Sequence, residues 1–340
     1  MHSFYSDNTA SVCPEVLGAI VEANQDPAPA YGDDRWTRRL DDTLGAFFDR
    51  PVRAYAVATG TAANSLALAV ASPPYGAILA PEQAHVLCDE CGAPAFFTHG
   101  AQLVSVASPD GKLSAAVVSA ALDAHPVSVH SVQPAAVSIS QATELGTAYR
   151  PAEVAALGAL TRERGLVLHM DGARFANALA FLDCHPGDVT WRAGVQVLSF
   201  GATKNGALAA EAVVFFDLAL ARDFELRRKR AGHLLSKSRY ISAQLLAYVE
   251  SGVWRSNAAR ANALARRIGA SAGSALLHPV EANQVFLRLG EPGKAHLREA
   301  GFGFYDWGAR ESGMARFVVS WNQPQADVDA LCAALSAGAG

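Results

Sequence analysis

The segment Val197-Leu-Ser-Phe-Gly-Ala-Thr-Lys-Asn-Gly206 carries the strongest structural signal in this chain. An apolar run ends there in small, turn-forming residues, and a single lysine, Lys204, stands at the exit. We expect its small neighbours to shelter the amine, so that Lys204 loses its proton more easily than a solvated lysine does. The segment therefore predicts a buried strand that delivers an amine able to form a Schiff base.

A second strand-to-loop junction lies upstream, in Gly165-Leu-Val-Leu-His-Met-Asp-Gly-Ala-Arg174, and places Asp171 and Arg174 at the end of another buried strand. An aspartate that closes one strand and a lysine that follows a later one are typical of enzymes that use pyridoxal 5'-phosphate (PLP). In such enzymes the aspartate keeps the pyridine nitrogen protonated and the lysine forms the Schiff base. The alternative is a surface lysine at Lys204 and a helix-capping aspartate at Asp171.

The composition is that of a globular protein with a large core. The chain has 340 residues, of which 51% are hydrophobic and 18% charged, enough for one large domain and a smaller one. A net charge of −4 gives no electrostatic footprint for nucleic acid. We expect neither a signal peptide nor a membrane span, because the basic and long apolar runs that these need do not occur. Five cysteines, an odd and sparse number, are typical of reduced thiols in a cytoplasmic protein.

Short apolar strands alternate with helices through the first two thirds of the chain, which predicts an α/β fold with a mostly parallel central sheet. The expected strands are 53–58, 77–80, 102–106, 135–140, 166–170, 195–200 and 211–216. The expected helices are 36–48, a segment ending near Val70, 89–96, 114–123, 151–164 and 173–180.

The pattern changes after Asp217. We predict one long arginine-rich helical stretch over 218–250, and the later elements are a helix over 253–270, strands over 284–289 and 315–321, and a closing helix near 325–336. The predicted division is an N-terminal segment (1–20), a large PLP-binding domain (21–225) and a small C-terminal α+β domain (226–340).

Thr59-Gly60-Thr61 stands where a buried strand passes into a helix. Backbone amides at such a helix start, next to a glycine that allows close approach, can hold a phosphate. A plain strand–turn–helix connection explains the same residues equally well. A P-loop is excluded because no lysine follows at the required spacing, and a dinucleotide fingerprint is excluded because only one glycine is in place.

His85, Cys88 and Cys91 lie close enough in sequence to suggest zinc, but no further cysteine or histidine pair supplies the fourth ligand, and we predict no metal site. His85 follows the strand over 77–80, at the sheet edge where ligands collect. We therefore expect its imidazole to stack on a flat cofactor ring. We also place Glu90 near this loop, with no assigned role.

Arg316 is a charge within an otherwise apolar strand, and a buried guanidinium needs a carboxylate partner. One alternative is a structural aspartate or glutamate. The other is a substrate α-carboxylate, which suits the planar guanidinium better than it would suit a lysine.

With these junctions in order, the chain resembles the threonine aldolases, which belong to the β-eliminating lyase group of the aspartate-aminotransferase-like (fold type I) PLP enzymes. The matching segments run in family order along nearly the whole chain: Ser6-Asp7, Tyr31-Gly-Asp-Asp34, Thr59-Gly-Thr-Ala-Ala-Asn64, His85 with Glu90 and Gly92, Thr143-Glu144, Asp171-Gly-Ala-Arg174, Lys204 and Arg316-Phe-Val. Many threonine aldolases follow the lysine with a glycine-rich segment. Asn205-Gly-Ala follows it here, which is similar to the low-specificity and phenylserine aldolase branch.

The resemblance implies a role for each matching residue. The implied catalytic residues are Lys204, His85, Asp171 and His130. The implied cofactor-binding residues are Thr59, Gly60, Thr61, His85, Asp171, Arg174 and Lys204, and the implied substrate-binding residues are Ser6, Tyr31, Arg174 and Arg316. The base stays open between His85, His130 and a water, since His130 reads equally well as a capping or surface histidine.

The resemblance also implies an activity and an assembly. A retro-aldol cleavage would convert L-threonine, L-allo-threonine or phenylserine to glycine and an aldehyde. A transaldolase, a β-eliminating lyase or an aminotransferase uses the same lysine and aspartate and is the alternative enzyme class. A catalytically silent PLP-fold binding protein is disfavoured because the key residues are all present. We expect a cytoplasmic homodimer or homotetramer, in which Tyr31 and the 229–230 region reach a neighbour's site.

Overall fold

The computed structural model describes residues 2–309 and 311–337. The strands are β1 (His2–Ser3), β2 (Arg53–Val57), β3 (Gly76–Pro81), β4 (Gln102–Val106), β5 (Gln133–Ser140), β6 (Val167–Gly172), β7 (Val197–Gly201), β8 (Glu211–Phe215), β9 (Gln284–Arg288), β10 (Phe302–Gly303), β11 (Tyr305–Trp307) and β12 (Met314–Val318). The α-helices are α1 (Pro14–Ala23), α2 (Leu40–Phe48), α3 (Gly60–Ala71), α4 (His85–Cys88), α5 (Ala93–Phe97), α6 (Ala115–Asp123), α7 (Pro151–Glu163), α8 (Phe175–Leu182), α9 (Phe224–Arg230), α10 (Arg239–Glu250), α11 (Val253–Ala272), α12 (Gly290–Glu299) and α13 (Gln325–Ala337).

The central sheet has seven strands in the order β2-β8-β7-β6-β5-β3-β4. Strand β8 runs antiparallel to both of its neighbours, and the other neighbouring pairs are parallel. Six strands therefore end at the same edge of the sheet, and β8 begins there. The predicted α/β fold with a mostly parallel sheet is confirmed.

Both faces of the sheet are covered, which explains why its central strands β7 and β8 are buried along their whole length, whereas the edge strands β2 and β4 have exposed residues. Successive side chains of a strand point to opposite faces. Leu198 and Val214 belong to the largest apolar cluster, with residues of α1, α2, α8 and α10, whereas Val197 and Val213 pack on the other face with α3 and α9. The sheet edge, not its faces, is consequently left to bind ligands.

A second apolar cluster joins Phe4 to residues of α11, α13, β9 and β12. Its sheet is antiparallel, in the order β11-β12-β9. Helix α11 contributes to both clusters, because Ala258 packs in the first and Ala261 in the second. The domain boundaries at 20 and 225 stay a prediction, and Met1 and 338–340 lie outside the described residues.

Two expected helices are wrong. The stretch 218–250 is not one helix, because α9 ends at Arg230 and α10 begins at Arg239. Gly232 follows α9 with a φ of 78°, a left-handed conformation that ends a right-handed helix. The helix expected over 89–96 is replaced by α4 and α5, since Cys91 and Gly92 also have positive φ values. Across the described residues, no helix has both the length and the hydrophobicity needed to cross a bilayer.

Candidate active site

A pocket lies at the edge of the sheet where the parallel strands end. Its lining comes from α3, α4, β6 and the segments that follow β5, β6 and β7. The lining residues are Gly60, Asn64, His85, Ser140, Ala142, Glu144, Asp171, Ala173, Arg174 and Lys204. The structure thus brings together Lys204, Asp171 and His85, three of the four residues expected to be catalytic.

Lys204 lies in a short 3-10 turn after β7. The next residue anchors this turn: the Asn205 side-chain amide donates to the Tyr248 hydroxyl (2.7 Å) and to the Trp254 carbonyl (2.8 Å). Burial lowers the pKa of the Lys204 amine, and the positive charge of Arg174 lowers it further. The lysine is therefore held in place and biased toward the neutral amine, the nucleophilic form.

Asp171 is the penultimate residue of β6, and its carboxylate is fixed at both oxygens. Oδ1 accepts from the Ala173 backbone N–H (2.9 Å), and Oδ2 accepts from the side-chain amide of Asn64 (2.8 Å). The residue is only 5% exposed. Such an aspartate can hold a positively charged ring nitrogen at a defined position.

His85 begins α4, and its backbone N–H donates to Glu144 Oε1 (2.8 Å). Its Nδ1 lies 2.8 Å from Glu90 Oε1. The hydrogen bond with Glu90 raises the pKa of the imidazole, against the opposing effect of burial. Glu90, which had no assigned role in the sequence, is therefore the partner of His85, and its side chain is fully buried.

Two further acidic residues lie near the pocket: Glu144, which belongs to a matching segment but had no assigned role, and Glu211, which the sequence did not single out. Burial raises the pKa of Glu144, whose Oε1 also accepts from the Ser140 hydroxyl (2.7 Å). Burial also raises the pKa of Glu211 to about 7, against the opposing effects of Thr203 and Lys204. Glu211 could have been noticed, because a glutamate at the start of an otherwise apolar strand is unusual.

Arg174 lines the pocket, but much of its guanidinium is engaged by the protein. Its Nε and Nη2 donate to the two carboxylate oxygens of the buried Asp7, at 2.8 and 3.0 Å. Asn283 adds a third hydrogen bond to this carboxylate, at 2.9 Å. Burial opposes ionisation of Asp7, but Arg174 and Lys204 outweigh it and lower the pKa of Asp7. Two nitrogens of Arg174 therefore bind Asp7 while its side chain still lines the pocket, and its role in binding a cofactor or a substrate stays a prediction.

Arg316 has no carboxylate within ion-pair distance among the described residues. Its Nε is buried without a hydrogen-bond partner, and its guanidinium lies 5.4 Å from the ring of Tyr305 and 5.2 Å from that of Trp307. Burial lowers the pKa of Arg316, and the nearby charge of Arg174 adds to this effect. The structural-acid alternative therefore loses its support, and a cation held in this way can receive an anionic ligand.

The start of α3 has the geometry expected of a phosphate-binding turn. Thr59 is the N-cap, and its Oγ1 accepts from the Ala62 N–H at 3.2 Å. The backbone around Gly60 is open, since a Cβ added there would meet no atom within 4 Å. With the Ala62 N–H capped, the N–H groups of Gly60 and Thr61 remain at a helix start with free space around it, which suits an anion.

Three residues that were expected in the site, His130, Tyr31 and Ser6, do not line the pocket. His130 is exposed and precedes β5, whereas the pocket lies beyond the other end of this eight-residue strand, roughly 25 Å away. His130 therefore lies outside the pocket of its own chain, and its role as the base stays a prediction. Tyr31 is 53% exposed outside the pocket, with its ring 4.7 Å from Lys229 Nζ. The Ser6 hydroxyl caps the turn Asp7–Thr9 by accepting from Asn8 N–H.

The Cys88–Cys91 segment does not form a metal centre in this part of the chain. Within 2–309 and 311–337, no group of three or more histidine, cysteine, aspartate or glutamate side chains is placed to hold a metal ion. Instead, Cys88 Sγ lies 3.2 Å from the Glu82 carbonyl oxygen.

The sheet is mostly parallel, and one edge carries a lysine with a lowered pKa and a fixed aspartate. This combination is typical of one class of proteins, the fold type I PLP enzymes. The chain belongs to the β-eliminating lyase family, whose family model matches residues 3–292. It is 44% identical over 339 residues to a low specificity L-threonine aldolase of a Pseudomonas species, covering 98% of this chain and 97% of the relative.

Solved structures agree with this assignment. The chain superposes on the threonine aldolase of Leishmania major with a TM-score of 0.93 and 28% identity, covering 99% of both chains. It also matches an aspartate aminotransferase of Rhodobacter sphaeroides with a TM-score of 0.72 and 15% identity, over 98% of this chain and 92% of the other. The second match concerns the fold alone.

Proposed function

We propose that the chain is a PLP-dependent aldehyde-lyase that cleaves L-threonine, L-allo-threonine or phenylserine to glycine and an aldehyde. The observation that carries this proposal is the placement of Lys204 and Asp171 in one pocket, with their hydrogen-bonding and electrostatic surroundings as described. The 44% identity to a low specificity L-threonine aldolase supports the choice of substrate class.

The residues present fit PLP. The open N-terminus of α3 at Gly60 suits its phosphate, Asp171 suits its ring nitrogen, and Lys204 suits its aldehyde carbon. The half-exposed imidazole of His85, at the pocket, can lie against the ring. When bound, PLP supplies an electron sink that stabilises negative charge at the substrate Cα.

The protein's own contribution is to orient the substrate and to move one proton. Arg316, with no acidic partner among the described residues, is the proposed ligand of the substrate carboxylate, and the direction in which it holds that group decides which Cα bond breaks. Removal of the β-hydroxyl proton then cleaves the Cα–Cβ bond and releases the aldehyde. We assign this proton to His85 or to a water that His85 positions, because His85 lines the pocket, whereas the exposed His130 could act only in a neighbouring chain's site. Return of the proton to Cα then gives glycine.

One incubation separates this proposal from the other reactions on the same fold. Purified holoenzyme is given L-threonine, and glycine, acetaldehyde and keto acids are measured. Equal amounts of glycine and acetaldehyde without a keto acid support the aldolase. A keto acid formed together with an aminated cofactor indicates an aminotransferase, a keto acid with released ammonia indicates an eliminating lyase, and glycine transfer only to an added aldehyde indicates a transaldolase. Any of these three results overturns the proposal.

The proposal includes a cytoplasmic homodimer or homotetramer. Phe96 and Leu226 are 74% and 73% exposed and line one groove, an arrangement that favours burial against another copy. Tyr31 and Lys229 lie outside their own chain's pocket, where they are available to a neighbour's site. All five cysteines are free thiols, as in a reducing compartment. Light scattering during size-exclusion chromatography tests the assembly, and a monomer at micromolar concentration would contradict it.

A further inference from the structure

One side-chain amide links two catalytic groups of the pocket. Asn64 lies on α3 and is 2% exposed. Its Nδ2 donates to Glu90 Oε1 and to Asp171 Oδ2, each at 2.8 Å. Both acids are buried, with exposures of 4% and 5%. Glu90 Oε1 is also 2.8 Å from His85 Nδ1, so an unbroken chain of hydrogen bonds runs from His85 to Asp171.

Two buried carboxylates near one another oppose each other's ionisation. Burial raises the pKa of Glu90, the charge of Asp171 adds to this effect, and the hydrogen bonds with His85 and Asn64 oppose it. The NH2 group of an asparagine has two N–H bonds and gives up neither proton. In this geometry it donates one bond to each acid, and its bond to Glu90 favours the charged form of that carboxyl. Asn64 thereby gives the two acids one common hydrogen-bond donor.

The same contacts decide which nitrogen of His85 carries the proton. Glu90 Oε1 already accepts from Asn64, and as a carboxylate oxygen it accepts from His85 as well, which places the proton of this hydrogen bond on Nδ1. The Nε2 of the neutral ring is then an acceptor. An imidazole in this tautomer can take a proton from a substrate hydroxyl or from a water.

We propose that Asn64 is a positioning residue of the aldolase reaction: it fixes the Asp171 carboxylate that would receive the cofactor ring nitrogen and, through Glu90, keeps His85 in the tautomer that accepts a proton at Nε2. This inference rests on the proposed function. Asp171 is the proposed partner of the cofactor, and His85 is the proposed base for the substrate. Asn64 contacts the first directly and the second through Glu90, so one side chain positions both.

A purely structural asparagine would have a different set of contacts. Asn262 is equally buried and bonds through both amide atoms: its Oδ1 accepts from Asn177 Nδ2 (3.0 Å), and its Nδ2 donates to the Asn177 carbonyl (2.8 Å). Asn64, in contrast, leaves its Oδ1 buried without a partner. Its side chain forms hydrogen bonds only to the two acids, which indicates that its role is to position them.

The test compares Asn64→Ala and Asn64→Asp with the matched control variants Asn262→Ala and Asn262→Asp, all as PLP-loaded enzymes. Both changes at 64 remove the donors, and alanine suits the alanine-rich α3. Measured are kcat and KM for L-threonine, the melting temperature, and the visible absorbance of the bound cofactor without substrate.

We expect kcat of both Asn64 variants to fall roughly a hundredfold, the usual loss on removing one preorganised donor, with a smaller change in KM. The resting cofactor spectrum should shift, because Asp171 no longer holds the ring nitrogen protonated. The melting temperature of the Asn262 variants should fall, whereas their kcat and cofactor spectrum should stay as in the wild type.

A wild-type spectrum and kcat in Asn64→Ala would overturn the proposal, as would equal losses of kcat in the Asn64 and Asn262 variants. If Asn64→Asp does not fold, the kcat and the cofactor spectrum of Asn64→Ala alone test the proposal. Failure of the proposed function is a separate result: the wild-type enzyme then releases no acetaldehyde, while the spectra still report whether Asn64 positions Asp171.

Discussion

At the scale of single residues, the site consists of buried charged side chains, and most of these have a hydrogen-bonded partner of opposite charge. Asp7 is matched by Arg174, Glu90 faces His85, and each pair is hydrogen-bonded. Asp171 receives only neutral donors from the protein, and Arg316 has no acid within reach among the described residues. These two groups of opposite sign are therefore the ones left for cofactor and substrate.

Asp171→Asn should keep the fold and still bind PLP but lose most activity. The amide cannot hold the ring nitrogen protonated, and removing one partner of a buried charge pair costs about 3–5 kcal/mol, which corresponds to at least a hundredfold in kcat. Steady-state kinetics and cofactor content measured on one preparation check this. An unchanged kcat would remove Asp171 from its role at the ring nitrogen.

Arg316→Lys separates a substrate-binding arginine from a structural one. The lysine keeps the charge but loses the two-pronged contact with a carboxylate, so kcat/KM for threonine should fall about a hundredfold while the melting temperature stays close to wild type. A lowered melting temperature with a normal KM would instead mean that Arg316 supports the fold.

At the scale of elements, the packing of the fold depends on how closely helices approach the sheet and its loops. Helix α7 packs against the loop that precedes β7, and Gly158 is the point of contact: a Cβ there would overlap the carbonyl oxygen of Ala193. In α1, by contrast, a Cβ at Gly18 would meet nothing within 4 Å. The two glycines thus differ in packing although both are helical.

This difference predicts opposite effects of the same substitution. Gly18→Ala should stabilise the protein by roughly 0.5–1 kcal/mol, since alanine favours the helix. Gly158→Ala should destabilise it by about 1–3 kcal/mol, because overpacking outweighs the gain in helix propensity. Urea unfolding of both variants measures the two changes. A stabilised Gly158→Ala protein would show that α7 does not lie this close to the loop.

Sequence patterns predict those features of the site that depend on neighbouring residues in the chain. Lys204 and Asp171 could be found because each follows an apolar run that ends in small residues. Asn64 and Asp7 could not be given their roles, because these come from partners 107 and 167 residues away in the chain. The break at Gly232 was missed because basic residues on both sides continue the helical pattern, and only the positive φ ends it.

At the scale of the whole molecule, the buried His169 connects three strands of the central sheet. Its Nδ1 is 2.9 Å from the Ser138 hydroxyl on β5, and its Nε2 is 3.0 Å from the Ser199 hydroxyl on β7. Burial lowers the pKa of His169 from 6.5 to about 4. The folded protein therefore keeps this ring neutral at a pH where the unfolded chain already binds a proton.

The sign of the resulting pH dependence follows directly. The contribution of His169 to stability is complete above pH 6.5 and is lost as the pH falls toward 4, by about 3 kcal/mol in total. His169→Gln, which can still bond both hydroxyls, should flatten the fall in unfolding free energy over this range. The exposed His130→Gln is the control and should leave the curve unchanged. Parallel curves for wild type and His169→Gln would contradict this account of His169.

The most direct test of the central claim is to trap the cofactor on the chain. Wild-type holoenzyme is reduced with borohydride, which adds hydride to the Schiff base and makes the bond permanent, and its peptides are then analysed by mass spectrometry. We predict the pyridoxyl-phosphate mass on the peptide that contains Lys204, and neither label nor acetaldehyde release in a folded Lys204→Ala protein. A label on another lysine, or undiminished threonine cleavage by Lys204→Ala, would contradict the account.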